Sequence, residues 1–354
     1  MVLLTSTSSS DRERSSGSAL ARRIQPTSDT AGRIQVAVLD GGSLREAEGD
    51  AALGALPDDL ARSNAIVWVD LLSPSREQVE TVGSAMRLHP LIVEDVLEGN
   101  QRAKIETTDA VVHIVLFHLA YEAEKTVLTE IDLVLGSDFL LTVHDGSWDP
   151  RVSNHLRNGL ESIMATGPDH LLWAICDDIV DSYFPFADRL GDAIDEVQDA
   201  VIRKATPDTL ERLFTLKREL IEIRRSAGPT REVFNQMTNR EMTLVDPEEL
   251  VFFRDVYDHV IRLTDEMDNY RELASSTLDV YLTQVNNNLS VIMKRLTGVT
   301  VVLAGIGAVA GVFGMSEAGA ALGGAEAGGF WLVAGLILGL AVLAGVFLRK
   351  IDWI

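Results

Sequence analysis

The sequence predicts an α+β membrane protein, with an N-terminal α/β domain, a long helix, and two transmembrane helices at the C-terminus. Three observations support this fold class. Short β-branched runs alternate with helical patterns in the first 150 residues, and the pattern becomes purely helical after Pro150. Two long uncharged segments follow Arg295.

Composition narrows the class of function. The formal net charge of -22, with 53 acidic residues, excludes nucleic acid as a partner and favours cations. Cys176 is the single cysteine, so neither an internal disulfide nor a Cys-based zinc site is expected. We find no phosphate-binding Gly-rich loop, paired His ligands or nucleophile elbow, and therefore predict that the chain is not an enzyme.

The cytoplasmic part is expected to have three segments. Residues 1–30 are rich in Ser and Arg and are expected to form a disordered tail. Residues 31–150 form the α/β domain, and residues 151–246 a helical region punctuated at Pro207 and at Gly228-Pro229. Within the α/β domain the predicted strands are 65–69, 111–119, 130–135 and 139–143, and the predicted helices are 75–86 and 90–97.

A long helix should begin after Asp246. Asp246 is a suitable N-cap, and Pro247 suits the first helical position. Because no proline follows Pro247 and no glycine lies between Pro247 and Gly298, one uninterrupted helix is expected to continue to residue 315. The range 247–315 thus combines a stalk with the first transmembrane span.

Two transmembrane spans are predicted because two long segments contain no charged residue. Twenty-one uncharged residues separate Arg295 from Glu317, and 22 separate Glu326 from Arg349, each enough for roughly 30 Å of helix. A buried hairpin in a soluble protein is the weaker alternative. The outer loop is 316–328, the second span 329–348 and the basic tail 349–354. Basic residues at 294, 295, 349 and 350 predict a multi-pass protein of the cell membrane with both termini cytoplasmic.

One face of the first span carries small or hydroxylated residues. Alternate steps of three and four give Gly314, Gly311, Gly307, Ala304, Thr300, Thr297 and Met293, and the same stripe continues through Ser290, Asn286, Thr283, Asp279, Ser276 and Glu272. Close helix packing explains the small residues equally well. The polar continuation favours a water-filled axis, which requires a symmetric ring of subunits because two spans cannot enclose a channel.

Several motifs in order resemble the CorA family of magnesium channels. They are residues 68–74 (WVDLLSP), 89–106 (HPLIVEDVLEGNQRAKIE), 253–259 (FRDVYDH), 281–297 (YLTQVNNNLSVIMKRLT), 311–315 (GVFGM) and 349–354 (RKIDWI). The resemblance implies a funnel-shaped homopentamer in the lipid bilayer, with an α/β/α cytoplasmic domain, an inner first span and an outer second span. It also implies passive divalent-cation transport with intracellular ion sensing.

The resemblance assigns residues to these roles. Family pore positions match Asp279, Ser290, Met293, Leu296, Ala304, Gly307, Gly311 and Gly314, and the sensing carboxylates match Asp95 and Asp255. The selectivity mouth corresponds to Gly314, Met315, Ser316 and Glu317. Here the sequence departs from the family, since Gly-Met-Ser replaces the Gly-Met-Asn signature and Phe313 replaces the usual Tyr.

The sequence leaves several alternatives for the transported ion. Magnesium keeps its waters, so the hydroxyls of Ser290, Thr297 and Thr300 and glycine carbonyls suit a hydrated Mg²⁺ ion, while Met293 and Leu296 suit an apolar constriction. Co²⁺ and Ni²⁺ are alternative transported ions. A Zn²⁺ transporter of the ZntB type and a non-conducting membrane sensor or scaffold are the competing functions.

Overall fold

The structure is a computed structural model that describes residues 21–22, 32–99, 101–108, 110–122, 125–239, 242–314 and 328–350. The chain divides into two compact units, Met1–Glu196 with Leu213–Ala274, and Val197–Arg212 with Ser275–Ile354. The predicted N-terminal tail lies outside the described residues except for the strand Ala21–Arg22.

The first unit is built on an eight-stranded mixed sheet. Its strands are β1 (Ala21–Arg22), β2 (Arg33–Asp40), β3 (Ser43–Glu48), β4 (Ile66–Leu72), β5 (Lys104–Thr107), β6 (Val112–Glu122), β7 (Lys125–Leu135) and β8 (Phe139–His144). Their order is β3-β2-β4-β8-β7-β6-β5, with β1 paired to β7. The β4–β8 and β1–β7 pairs are parallel, and the other pairs are antiparallel. The strand β4, which lies between β2 and β8, is buried on both faces.

Helices cover both faces of this sheet. On one face lie α1 (Asp50–Leu60), α2 (Arg76–Ala85) and α3 (Pro90–Glu98), which pack on alternate strand residues such as Val36, Val69 and Val143. On the other face α5 (Pro168–Asp181) follows α4 (Leu160–Thr166) and contacts β4, β6, β7 and β8. The predicted α/β/α arrangement is therefore confirmed.

The remaining helices are long. A short 3₁₀ turn at Pro150–Val152 precedes α4, and after α5 come α6 (Phe184–Arg203), α7 (Pro207–Asn239), α8 (Leu250–Gly314) and α9 (Gly328–Lys350). The predicted interruption at Gly228-Pro229 is wrong, because α7 runs through Pro229. Proline removes one backbone hydrogen bond, but the buried side chains of Ile223, Phe234 and Met237 on either side hold the helix in place.

The helix α8 confirms the predicted long element. It begins at Leu250, slightly later than expected, and residues 247–249 form a turn before it. Asp246 acts as the expected cap on this turn, since its Oδ1 accepts the Glu248 N–H at 2.9 Å. Of its 65 residues, those up to Ala274 belong to the first unit and those from Ser275 to the second.

Candidate functional sites

Asp95 lies in an ion-pair cluster at the end of α3. Gly99 ends this helix in the left-handed conformation (φ 50°), and the chain returns as β5 beginning at Lys104. The Lys104 Nζ contacts Asp95 Oδ2 and lies 3.0 Å from Glu106 Oε1. Gln101 Nε2 donates to Asp95 Oδ1 at 3.3 Å. Both oxygens of the predicted sensing carboxylate are thus engaged within the chain.

A buried polar layer adjoins this cluster on β6 and β7. His113 and Asp132 are fully buried and are joined by a 2.8 Å contact between Nε2 and Oδ1. Ligand-type atoms of His113, Asp95 and Glu106 lie within 4.8 Å of one another. Burial and then the charge of Asp132 raise the pKa of Glu130 from 4.5 to about 8, despite the Gln101 N–H that its carboxylate accepts.

The second predicted sensing residue, Asp255, lies beside another cluster. Its side chain on α8 is 70% exposed, and its Oδ2 is 3.9 Å from His259 Nε2. His259 in turn groups with Asp177 and Asp181 of α5, with ligand atoms within 4.8 Å of one another. On the other side of this group His155 Nε2 lies 2.8 Å from Asp177 Oδ2.

This second cluster has the donor set for a divalent cation. Asp177 Oδ1 is buried and lacks a hydrogen-bond partner among the residues that the structure describes, and Asp181 Oδ1 is 3.2 Å from His259 Nδ1. Burial, then the charge of Asp177, raises the pKa of Asp181. Carboxylates suit Mg²⁺, whereas the added imidazole suits Zn²⁺, Co²⁺ or Ni²⁺.

Sequence reasoning missed this cluster, although a signal was present. Asp177 and Asp181 are four residues apart on α5, as are Asp255 and His259 on α8, so each pair lies on one helix face. No described hydrogen bond or ion pair joins Asp95 to Asp255 within one chain. The structure therefore places the two predicted sensing residues in separate clusters.

In the second unit, the predicted pore stripe is exposed in the single chain. Every side chain of the stripe that is described in this unit is exposed, namely Ser276, Asp279, Thr283, Asn286, Ser290, Met293, Thr297, Thr300 and Ala304. Gly307, Gly311 and the further family pore match Leu296 are exposed as well. A Cβ atom built at Gly307 or at Gly311 meets no other atom within 4 Å. Close packing within one chain consequently does not explain these small residues.

The α9 helix packs on a different face of α8. Val302, Ile306 and Val309 are half-buried and line a shared apolar groove with α9 residues, among them Ile337, Ala341, Ala344 and Leu348. At 100° per residue, this face lies roughly opposite the stripe of Ala304, Gly307 and Gly311. Since α9 occupies the opposite side, it does not cover the stripe.

Three hydroxyls on the stripe bond to their own helix. Ser290 Oγ donates to Asn286 O at 2.9 Å, and Thr283 Oγ1 and Thr300 Oγ1 donate to Asp279 O and Leu296 O, each at 2.8 Å. A hydroxyl that donates its proton in this way retains acceptor capacity for a water molecule. The stripe therefore presents weak oxygen acceptors and no carboxylate above Asp279.

The predicted selectivity mouth is only partly within the described residues. Gly314 is the last residue of α8, whereas Met315, Ser316 and Glu317 lie outside the described part of the chain. One helix there, Leu250–Val312, contains an 18-residue window long and apolar enough to cross a membrane. Only 6% of that window is buried, unlike the core helix of a soluble protein.

The apolar window of this helix is typical of a membrane protein, and comparison with known proteins specifies the family. The family model described as CorA-like Mg²⁺ transporter protein matches residues 63–350. The Cobalt/magnesium transport protein CorA of Thermotoga maritima is 32% identical over 260 residues, which cover 72% of this chain and 74% of the relative. The chain belongs to the CorA-like family and is a membrane transport protein, not an enzyme.

Solved structures support the fold. The complete CorA magnesium transporter of Methanocaldococcus jannaschii aligns with a TM-score of 0.71 at 22% identity, covering 90% of this chain and 98% of that structure. The ZntB cytoplasmic domain of Vibrio parahaemolyticus aligns with a TM-score of 0.56 at 11% identity, covering 73% of this chain and all of that domain. At these identities the likeness concerns the fold.

Proposed function

We propose that the chain forms a homopentameric channel for passive transport of divalent cations, chiefly Mg²⁺, across the cell membrane. Its α8 helices line the pore through Asp279, Asn286, Ser290, Met293, Leu296, Thr297, Thr300, Ala304, Gly307, Gly311 and Gly314. The α9 helices lie outside them, and both termini are cytoplasmic. Glu317 and Ser316 lie at the outer mouth.

One observation carries this proposal. The stripe of small and hydroxylated residues lies opposite the face that packs on α9, and none of the residues that the structure describes covers it. An uncovered polar stripe on an apolar helix needs water or other copies of the helix beside it. A ring of copies around a hydrated axis supplies both.

A matched pair of glycines tests the pore assignment. Gly307→Leu places a large side chain on the stripe, whereas Gly305→Leu makes the same change about 200° around the helix. We expect Gly307→Leu to abolish Mg²⁺ flux into reconstituted vesicles while the native mass in detergent stays that of a pentamer, and Gly305→Leu to retain flux. Equal flux in the two variants contradicts the assignment, and loss of the oligomer in Gly307→Leu alone identifies the stripe as a packing seam.

Flux measurements in the same vesicles distinguish Mg²⁺ from the alternative transported ions. Mg²⁺ is favoured because the stripe has hydroxyl and carbonyl oxygens but no imidazole or thiol between Met293 and Gly314. Zn²⁺ transport is the second candidate, favoured by the imidazoles of His155 and His259 in the acidic cluster. Flux of Zn²⁺ without Mg²⁺ establishes the second candidate, and flux of neither ion establishes a non-conducting sensor or scaffold.

Intracellular sensing is the remaining part of the proposal. Carboxylates that meet across a subunit interface repel one another, and a divalent cation relieves this repulsion, which stabilises the closed ring. Asp95 and Asp255 have this role. Asp255→Asn is expected to weaken Mg²⁺ protection against proteolysis and Mg²⁺ inhibition of flux, whereas Asp258→Asn, on the same helix and also exposed, is the charge-matched control. An unchanged Asp255→Asn variant refutes the sensing role of that residue.

A further inference from the structure

The Lys104 ammonium occupies the place where a divalent cation would bind Asp95. Nζ contacts the Asp95 carboxylate directly and lies 3.0 Å from Glu106 Oε1, so one cation already bridges the two acidic side chains. The Lys104 side chain is only 17% exposed, and that of Asp95 24%. A divalent cation that approaches Asp95 therefore meets a carboxylate that is already paired with a cation.

Lys104 is held firmly in its charged form. Burial alone would lower the pKa of Lys104, but the hydrogen bonds and charges of Asp95 and Glu106 outweigh burial and raise it. The backbone fixes the same geometry, because Lys104 begins β5 and pairs with Val115 of β6. The ammonium is thus tethered beside Asp95 by the fold.

From this geometry we propose that Lys104 is a built-in competitor that sets the divalent-cation concentration at which Asp95 responds. The inference rests on the proposed sensing role of Asp95 and adds its regulation. A divalent cation binds Asp95 only as the tethered ammonium leaves that carboxylate. A charge-assisted hydrogen bond contributes about 1.5–3 kcal/mol, so its loss should lower the half-effective cation concentration by roughly tenfold or more.

The test uses the full chain in detergent and measures the Mg²⁺ concentration that gives half-maximal protection against chymotrypsin, which does not cleave at lysine. Lys104→Gln should lower this concentration by roughly tenfold. Lys204→Gln removes the same charge from an exposed position of the second unit and should leave it unchanged. Lys104→Arg retains a cation and should need more Mg²⁺ than Lys104→Gln.

A chemical variant isolates the charge from folding. In Lys104→Cys, the new thiol can be modified selectively because Cys176 is fully buried. An aminoethyl disulfide restores an ammonium at this position, whereas a methyl disulfide leaves it neutral. We expect the neutral form to need less Mg²⁺ than the ammonium form of the same polypeptide.

The outcomes separate this inference from the sensing proposal. If Asp95→Asn changes protection but the neutral and ammonium forms at position 104 respond alike, Lys104 does not compete and the inference is wrong while sensing stands. A requirement for more Mg²⁺ in Lys104→Gln also overturns it, because Lys104 would then orient Asp95 for the cation. If Asp95→Asn leaves Mg²⁺ protection unchanged both in the unmodified chain and in Lys104→Gln, both proposals fail.

Discussion

The buried carboxyl of Glu130 should make the stability of the cytoplasmic unit depend on pH. Glu130 is 3% exposed on β7, and its pKa is raised from 4.5 to about 8, by burial first and by the charge of Asp132 second. Between these two values the unfolded chain is ionised while the folded chain holds the proton. The free energy of unfolding is therefore highest below pH 4.5 and falls as the pH rises to about 8.

The magnitude follows from the shift. Each pKa unit corresponds to about 1.36 kcal/mol, so the full shift gives an upper limit of about 5 kcal/mol at pH 8 and above. Glu130→Gln removes the ionisation while its carboxamide oxygen can still accept the Gln101 N–H. The variant should match the unmodified chain near pH 4.5 and exceed it increasingly up to pH 8. For a unit of this size the gain corresponds to a rise in Tm on the order of 10 °C.

Thermal unfolding of the full chain in detergent measures this difference. Tryptophan fluorescence follows the relevant unit, since Trp68, Trp148 and Trp173 all belong to it. The Tm of Glu130→Gln is compared with that of the unmodified chain from pH 4 to 9, and exposed Glu161→Gln is the control for the loss of a surface charge. A Tm difference that is constant across this range refutes the reasoning, because it shows that Glu130 ionises alike in both states.

Three further predictions concern the outer mouth, the topology and the helical layer. Ser316→Asn should raise apparent Mg²⁺ affinity and reduce the salt sensitivity of uptake, because an amide reaches further than a hydroxyl toward the waters of an incoming ion. An unchanged flux curve excludes control of entry by this residue. A cysteine at Ala320 should react with an impermeant reagent in intact cells, and protection until lysis contradicts the topology. Tyr183→Phe should lower the free energy of unfolding by about 1–3 kcal/mol, because the buried Tyr183 hydroxyl contacts Ser226 Oγ at 2.6 Å and donates to Phe117 O at 2.9 Å. Equal chemical denaturation midpoints and slopes for both chains would contradict this last expectation.

Elements with a strong local pattern were predictable from sequence. All four predicted strands and both predicted helices of the α/β domain are present, with boundaries that differ by a few residues. The uninterrupted α8 helix also follows from the absence of proline and glycine over a long stretch. In these segments local preference and tertiary packing favour the same structure.

Elements that depend on their neighbours were missed. The strand β3 has the sequence SLREAE, and most of its side chains are exposed. It therefore lacks the alternation of apolar and polar residues that identifies a strand, and it is held by pairing with β2. The β5 strand, only four residues long, is defined by its pairing with β6. The helix α1 contains Pro57, which lowers its local helical preference.

The candidate sites show the same limit. The resemblance predicts Asp95 and Asp255 as sensing residues, but the contact of Asp95 with Lys104 depends on where the loop after Gly99 returns to the sheet. The Asp177–His259 contact likewise joins helices that are some 80 residues apart in sequence. Local spacing shows which side chains share one face, and only the fold shows which two faces meet.

The two kinds of candidate cation position differ in the strength of their ligands, and transport explains this difference. A pore must release each ion quickly, so its acceptors have to be weak and numerous. The stripe from Ser290 to Gly311 suits this proposed role, because the Ser290 and Thr300 hydroxyls donate to their own helix and most of its other residues are small or apolar. A sensor instead has to hold an ion long enough to shift a conformational equilibrium, which needs carboxylates. In the proposed sensing role Asp95 supplies such a carboxylate, and we expect Lys104 as its competitor to restrict the response to a high cation concentration, as a sensor that ends uptake requires.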